Sequence, residues 1–233
     1  MTTNKPLQMV MRDMLFVTWA VPPEIVRKLV DGRLELDTRT DADGRVVALV
    51  SAVCFHATEV RSSILPLPEL NFGQVNYRVY VRAGEVPSVW FLDMKVNSRM
   101  ITAMTSFLSI PVHYEEIEIT TSSGPGLPGY SVISEGLRAE VIIGESDDSA
   151  QREQIAPDFI TQRPVGYAGA ANATFRIDVQ HSRLDAVPAR AQNVASPSLE
   201  RLGLLTPDQS ANPNSVLYVR EAVFGADTPV RER

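Results

Sequence analysis

The chain has 233 residues, 44% of them hydrophobic, with 28 acidic and 22 basic side chains and a formal charge of -6; this excludes a disordered chain, and it lacks the cationic stripe of a duplex- or membrane-surface-binding protein. No apolar run approaches the roughly 20 residues that span a bilayer, and the opening Met1-Thr-Thr-Asn-Lys5-Pro6 carries no apolar core before a cleavage site, so a cytosolic protein is expected. The one cysteine, Cys54, excludes an internal disulfide and a zinc site of several thiolates, and the length suits one domain over residues 1–233, without internal repeats.

In chain order, Arg12 to Val21 reads as a strand ended by Pro22-Pro23, and the prolines open a short helix over Glu24 to Val30. Arg45 to Thr58 is a long β-branched and apolar run with both faces apolar, which predicts a strand covered on both sides. Gln74 to Arg82 alternates: Val75, Tyr77, Val79 and Val81 share one face, and Gln74, Asn76, Arg78, Tyr80 and Arg82 share the other. Ser88 to Val96 is the next strand, with Asp93 and Lys95 on one face, spaced to form an ion pair. A helix over Ser98 to Ser109 then repeats Met100, Ala103, Met104, Phe107 and Leu108 at helical spacing, a stripe expected to be core, and Pro111 ends it. Strands follow at Val112–Thr120, Tyr130–Ser134, Leu137–Glu145, Thr174–Gln180, Ala186–Ala195 and Ser215–Phe224, with short helices near Pro157–Gln162 and Ser198–Leu202. Many strands, few short helices and no βαβ rhythm predict a mainly β (α+β) antiparallel barrel or sandwich.

Several segments, in order, carry a family resemblance. They are Arg12-Asp-Met-Leu-Phe-Val-Thr-Trp-Ala-Val-Pro-Pro-Glu24, Leu70-Asn-Phe-Gly-Gln-Val-Asn-Tyr-Arg-Val-Tyr-Val81, Ser98 to Tyr114, Phe159-Ile-Thr-Gln-Arg163, His181 and Ser215-Val-Leu-Tyr-Val219. Together they resemble the uncharacterised YqjF-like branch of the acetoacetate decarboxylase-like superfamily, across nearly the whole chain. The resemblance implies an antiparallel acetoacetate decarboxylase-like β-barrel with a few short covering helices around a small pocket. The decarboxylases form a Schiff base on a lysine just after the helix-ending proline, where this chain has Val112 and His113. Such chemistry needs an amine with a lowered pKa, which valine cannot supply. Their two pocket glutamates align with Ser51 and Gln74, so of four central groups only the arginine of the first strand persists, as Arg12.

The catalytic candidates are Arg12, Gln74 and His113; Ser51, Asn76, Arg78 and Val112 are candidates for contacting a substrate. Arg12 offers a fork for a carboxylate or enolate oxygen, or else is a surface arginine beside Asp13. Gln74, Asn76 and Arg78 are donors for a carbonyl ligand if their face points inward, and a solvated face if it does not. His113 has the chemistry of a general acid or base, although alternation turns it away from Val112. His56, His113 and His181 show no metal-binding spacing, and Lys95 is the one lysine in a core element that keeps a relocated Schiff base formally open. The expected function is a cofactor-independent, metal-free enzyme of cyclase, isomerase or lyase type acting on a small carbonyl-bearing metabolite; the alternative is a non-catalytic small-molecule binder. A small molecule is the expected partner, with no nucleic acid and no membrane, and assembly into a homo-oligomer is left open.

Overall fold

The structure, a computed structural model, describes residues 5–63, 68, 70–107, 112–122, 128–145, 155–170 and 173–232. Strand β1 (Leu7–Val21) runs into the proline-opened α1 (Pro23–Arg27), followed by the two-residue strands β2 (Glu35–Leu36) and β3 (Arg39–Thr40). Three long strands come next: β4 (Val46–Ser62), β5 (Phe72–Ala83) and β6 (Val86–Val96). Helix α2 (Arg99–Phe107) leads to β7 (Val112–Tyr114), β8 (Ile117–Ser122), β9 (Gly129–Ser134) and β10 (Arg138–Ile143). The last part holds α3 (Pro157–Thr161), β11 (Val165–Ala170), β12 (Ala173–His181), β13 (Val187–Ala195), α4 (Pro197–Arg201), α5 (Pro207–Ala211), β14 (Ser215–Ala226) and β15 (Val230–Glu232).

Pairing joins these strands into one mainly β sheet in which β11, β6, β5, β4, β1 and β14 are successive neighbours. Strand β12 pairs with β11 on one side and, through Val179, Gln180 and His181, with Ala226, Gly225 and Phe224 of β14 on the other. Seven strands therefore form a closed circuit, a ring whose members are all paired on both sides. The circuit departs from the expected antiparallel pattern at β6, which pairs in parallel with both β11 and β7. From β14 the sheet continues through β13, β10, β9 and β8, which pack against one face of the ring.

Alternation then sorts the apolar residues into two layers. Ala48, Val50, Ala52 and Cys54 of β4, with Val75, Tyr77 and Val79 of β5, meet Ile119, Tyr130, Val132 and Ala139 of the flanking strands. Leu49, Val53 and Phe55, with Phe16, Tyr80, Val89 and Leu217, fill the ring's interior. This is why both faces of β4 are apolar: each is buried in a different layer.

Two expectations change. The predicted strand Val112–Thr120 is two, because β7 joins β6 while β8 turns away to join β9. Helix α2 packs beside β6 and β7 but turns part of the predicted stripe outward: Met100 is 42% exposed and Ala103 is exposed, while Met104 is half-buried and Ile101 packs against the inner layer. With so short a helix against one edge, the buried face is the one centred on Ile101. The side chain of Phe107, and Leu108 and Pro111 altogether, lie outside the described residues. Among the described residues no helix is long and apolar enough to cross a membrane.

Candidate functional site

A cavity of about 100 Å³ lies inside the ring, and all seven strands of the circuit supply residues to its lining. Its wall is largely apolar, with Met14, Phe16, Val53, Phe55, Val89 and Phe91 among the lining. The polar groups at its wall are Asn76, Arg78, Thr161, Arg163 and His181.

Arg78 and Asn76 project inward because they share the interior face of β5, where Arg78 stands opposite Ser51 and Asn76 opposite Val53. The Arg78 guanidinium lies 5.2 Å from the Phe16 ring centre and 5.3 Å from that of Tyr80. Its Nη2 donates to the Ile160 carbonyl at 2.8 Å and to the Tyr80 hydroxyl at 3.3 Å. The Tyr80 hydroxyl is in turn 2.7 Å from Ser51 Oγ, which is 2.7 Å from Thr18 Oγ1. Among the described residues the hydrogen-bond partners of Arg78 are thus neutral, and its buried Nε has none. The Oδ1 of Asn76, a residue only 7% exposed, is likewise buried without a donor. Leaving such atoms unpaired typically costs about 1–3 kcal/mol each, so the site is complete only with something that satisfies them.

Arg163 differs. Its Nη1 donates to Asp37 at 2.6 Å and its Nε to the Phe159 carbonyl at 2.7 Å, with the rings of Phe159 and Tyr80 against its plane. Burial lowers its pKa and Asp37 opposes that shift, but arginine remains charged. Asp37 balances one of the two guanidinium charges, and the charge of Arg78 is left over.

His181 ends β12 at the point where the ring closes onto β14, its ring centre 4.7 Å from that of Phe224. Nδ1 is 2.7 Å from the Ser182 carbonyl oxygen. A carbonyl only accepts, so Nδ1 carries the proton, and Nε2 of the neutral ring is an acceptor without a partner among the described residues. Burial pushes the imidazole below its ordinary pKa; the Ser182 bond raises it, and the charge of Arg78 lowers it further. Arg78 and His181 line the same cavity.

The sequence candidates separate into two groups. Asn76 and Arg78 line the cavity. Ser51 is fully buried on the same face and reaches Arg78 only through Tyr80. Gln74 shares that face but lies one step along β5, beyond the lining. Val112 is buried in the interior layer without lining the cavity, and His113 is turned outward and exposed, with Nδ1 2.9 Å from Asp93 Oδ1. Asp93 also pairs with Lys95 at 3.0 Å, as their spacing predicts.

Arg12 has to be corrected. It lies on the outside, ion-paired to Glu221 at 2.8 Å and Glu59 at 2.9 Å. A bulge between Arg12 and Leu15, with Asp13 at φ 52°, inserts one residue into β1 and reverses the alternation. Met11 and Met14 consequently both face the cavity, and Arg12 faces solvent. Sequence reasoning also passed over Arg163, Thr161 and His181 as site residues. Their sole signal was membership of the family-like segments, because they come from a loop-helix and a strand end far from β5 in the sequence.

With this geometry in view, the relatives can be placed. The family model described as "Uncharacterized conserved protein (COG2071)", DUF2071, matches residues 8–222. The chain belongs to the DUF2071 family. The uncharacterized protein YqjF of Bacillus subtilis (strain 168) is 30% identical over 109 residues, 46% of this chain and 43% of its own length; the match thus spans less than half of that curated relative. Among solved structures, the enduracididine biosynthesis enzyme MppR with HEPES bound matches with a TM-score of 0.63 at 11% identity, covering 98% of this chain and 88% of its own. Acetoacetate decarboxylase from Legionella pneumophila subsp. pneumophila str. Philadelphia 1 matches at 0.62 and 9% identity, covering 98% and 87%. An acetoacetate decarboxylase-like enzyme from Sphingomonas wittichii RW1 matches at 0.60 and 12% identity, covering 99% and 94%. At these identities the likeness shows that this DUF2071 chain shares their fold. Among its described residues, no group of three or more His, Cys, Asp or Glu side chains could hold a metal ion.

Proposed function

We propose that this protein is an enzyme that binds a small carbonyl-bearing metabolite inside the ring of strands, the barrel of its superfamily, and transforms it by side-chain acid–base chemistry of isomerase, lyase or cyclase type. The observation that carries the reading is the pair of buried, unpartnered polar atoms, Arg78 Nε and Asn76 Oδ1, on the wall of an otherwise mostly apolar cavity. An apolar pocket with a few convergent polar groups is the usual form of a small-molecule site. At about 100 Å³ it falls below the roughly 300–1,000 Å³ of drug-sized sites, which favours a ligand of a few heavy atoms. Solved structures of MppR, a fold relative, contain pyruvate and the condensation product of pyruvate with imidazole 4-carboxaldehyde, which supports carbonyl ligands in this fold.

Decarboxylation through a Schiff base is not part of the reading. Val112 stands at the lysine position that the resemblance implies, and Lys95 is engaged by Asp93 on the outer side of β6. The unpaired atoms would serve a non-catalytic binder equally; the enzyme reading is preferred because solved fold relatives, MppR and an acetoacetate decarboxylase-like protein, are enzymes. The test has two parts. Small carbonyl compounds should raise the melting temperature of the wild-type protein, and borohydride added with acetoacetate should leave its mass unchanged. Failure of every such compound to stabilise the fold, or a borohydride-trapped adduct on Lys95, would overturn the proposal.

A further inference from the structure

We infer that the cavity takes a short 2-keto acid, holding its carboxylate on Arg78 and interconverting its keto and enol forms with Nε2 of His181 as the proton carrier. The inference rests on the ring cavity being the reaction site and adds the substrate class and the working residues. Charge points to the carboxylate. Arg78 is the guanidinium at this wall that Asp37 does not balance, its Nε is buried without an acceptor, and the rings of Phe16 and Tyr80 keep its plane in place. An anion bound there gains a charge-assisted hydrogen bond in an apolar surrounding, the strong class of such bonds.

The other two polar groups specify what lies beyond the carboxylate. Asn76 Oδ1 and His181 Nε2 are both acceptors, the first because it lacks a donor and the second because Nδ1 holds the ring proton against Ser182. Two acceptors beside one cationic donor match an acid whose single mobile proton leaves carbon and ends on oxygen. In a 2-keto acid the C3–H bond breaks and its proton goes to Nε2. The freed pair forms the C2=C3 double bond while the carbonyl pair moves onto oxygen, where the charge of Arg78 stabilises the enolate. Nε2 then delivers the proton to that oxygen, and the enol O–H donates to Asn76 Oδ1. One proton moves from carbon to oxygen, with no co-reactant. A base kept neutral by burial is the right protonation state for the first step.

The test uses 2-oxobutyrate as the anionic probe and butane-2,3-dione as the neutral one. In deuterium oxide, the wild-type protein should speed loss of the C3 proton signal of 2-oxobutyrate at least tenfold over heat-denatured protein, and 2-oxobutyrate should raise the melting temperature more than the dione does. His181→Gln should bring exchange to within twofold of the denatured control while 2-oxobutyrate still stabilises it, and Arg78→Met should lose that stabilisation. Exchange at the wild-type rate in His181→Gln would overturn the role of Nε2. Stabilisation by the dione but not by 2-oxobutyrate would overturn the inference and leave the cavity reading standing; stabilisation by neither overturns the inference, and the cavity reading falls with it when every other small carbonyl compound fails as well. The comparison of the two probes needs only the wild-type chain, so a variant that fails to fold does not remove the test.

Discussion

One inserted residue in β1 leaves only Arg78, by sequence a substrate contact, at the cavity and takes Arg12, by sequence a catalytic candidate, away from it. Asp13 takes a left-handed conformation, its carboxylate accepts the Tyr218 hydroxyl at 2.7 Å, and the strand on either side of it changes face. A bulge of this kind leaves no periodic mark in a single sequence, so alternation continued through it gives the wrong side for Arg12. The four central groups that the resemblance assigns to the decarboxylases are therefore all absent from this cavity. Arg12→Ala is predicted to leave the ligand-induced rise in melting temperature within experimental error; a loss of that rise would place Arg12 at the site after all. His181 carries a prediction of another kind. The unfolded chain takes up this proton near pH 6.5, and the folded ring does so only at lower pH. Below about pH 7 the unfolded state thus binds more protons, and stability falls as pH drops towards about 5. His181→Gln should show a flatter profile in that window by urea unfolding. The carboxyl of Asp31, held below the usual range by Arg33 and Thr174, loses its contribution only below about pH 4. A wild-type profile that is flat between pH 7 and 5 would mean that His181 is solvated.

Elements that follow strict alternation or carry prolines were legible. Strands β4, β5 and β6 and the proline-opened α1, α3 and α4 all fall within a few residues of their sequence expectations. Strand β11, Val-Gly-Tyr-Ala-Gly-Ala, escaped notice because two glycines and two alanines carry little β signal. Its glycines have a packing reason. A Cβ at Gly166 would come within 2.6 Å of Phe91 Cε2, and both residues line the cavity. Helix α5 was missed although Thr206, Pro207 and Gln209 form a capping box with proline at the first turn. The two layers make separable predictions. Gly166→Ala should push the Phe91 ring and weaken 2-oxobutyrate binding at least tenfold. Gly136→Ala, at the turn between β9 and β10, would place a methyl against Ser198 Oγ and Tyr77 Oη in the outer layer. It should cost about 1–3 kcal/mol of stability, as overpacking does, without changing affinity. Calorimetric titration with a parallel urea melt measures both; equal effects of the two variants on binding would mean that the layers are not independent.

At the scale of the whole molecule, the polar face of β5 could be read from sequence but its direction could not, because inward and outward faces alternate with the same period. Only pairing decides it. The three-residue contact between β12 and β14 closes the circuit, turns Asn76 and Arg78 into interior groups, and brings His181, more than 100 positions further along the chain, to the same cavity. Long-range closure of this sort rests on the packing of many side chains and is not encoded in any local motif. The alternative centre on the outer side of β6, where Asp93 pairs with Lys95 and His113, is separated from the cavity by the strand itself. The measurement that decides between them is a crystal structure of the protein grown with 2-oxobutyrate. The account predicts ligand density inside the ring, with a carboxylate oxygen within hydrogen-bonding distance of Arg78 Nε and the C3 carbon facing His181. Density on the outer side of β6, against Lys95 or His113, with the ring cavity unchanged, would contradict it.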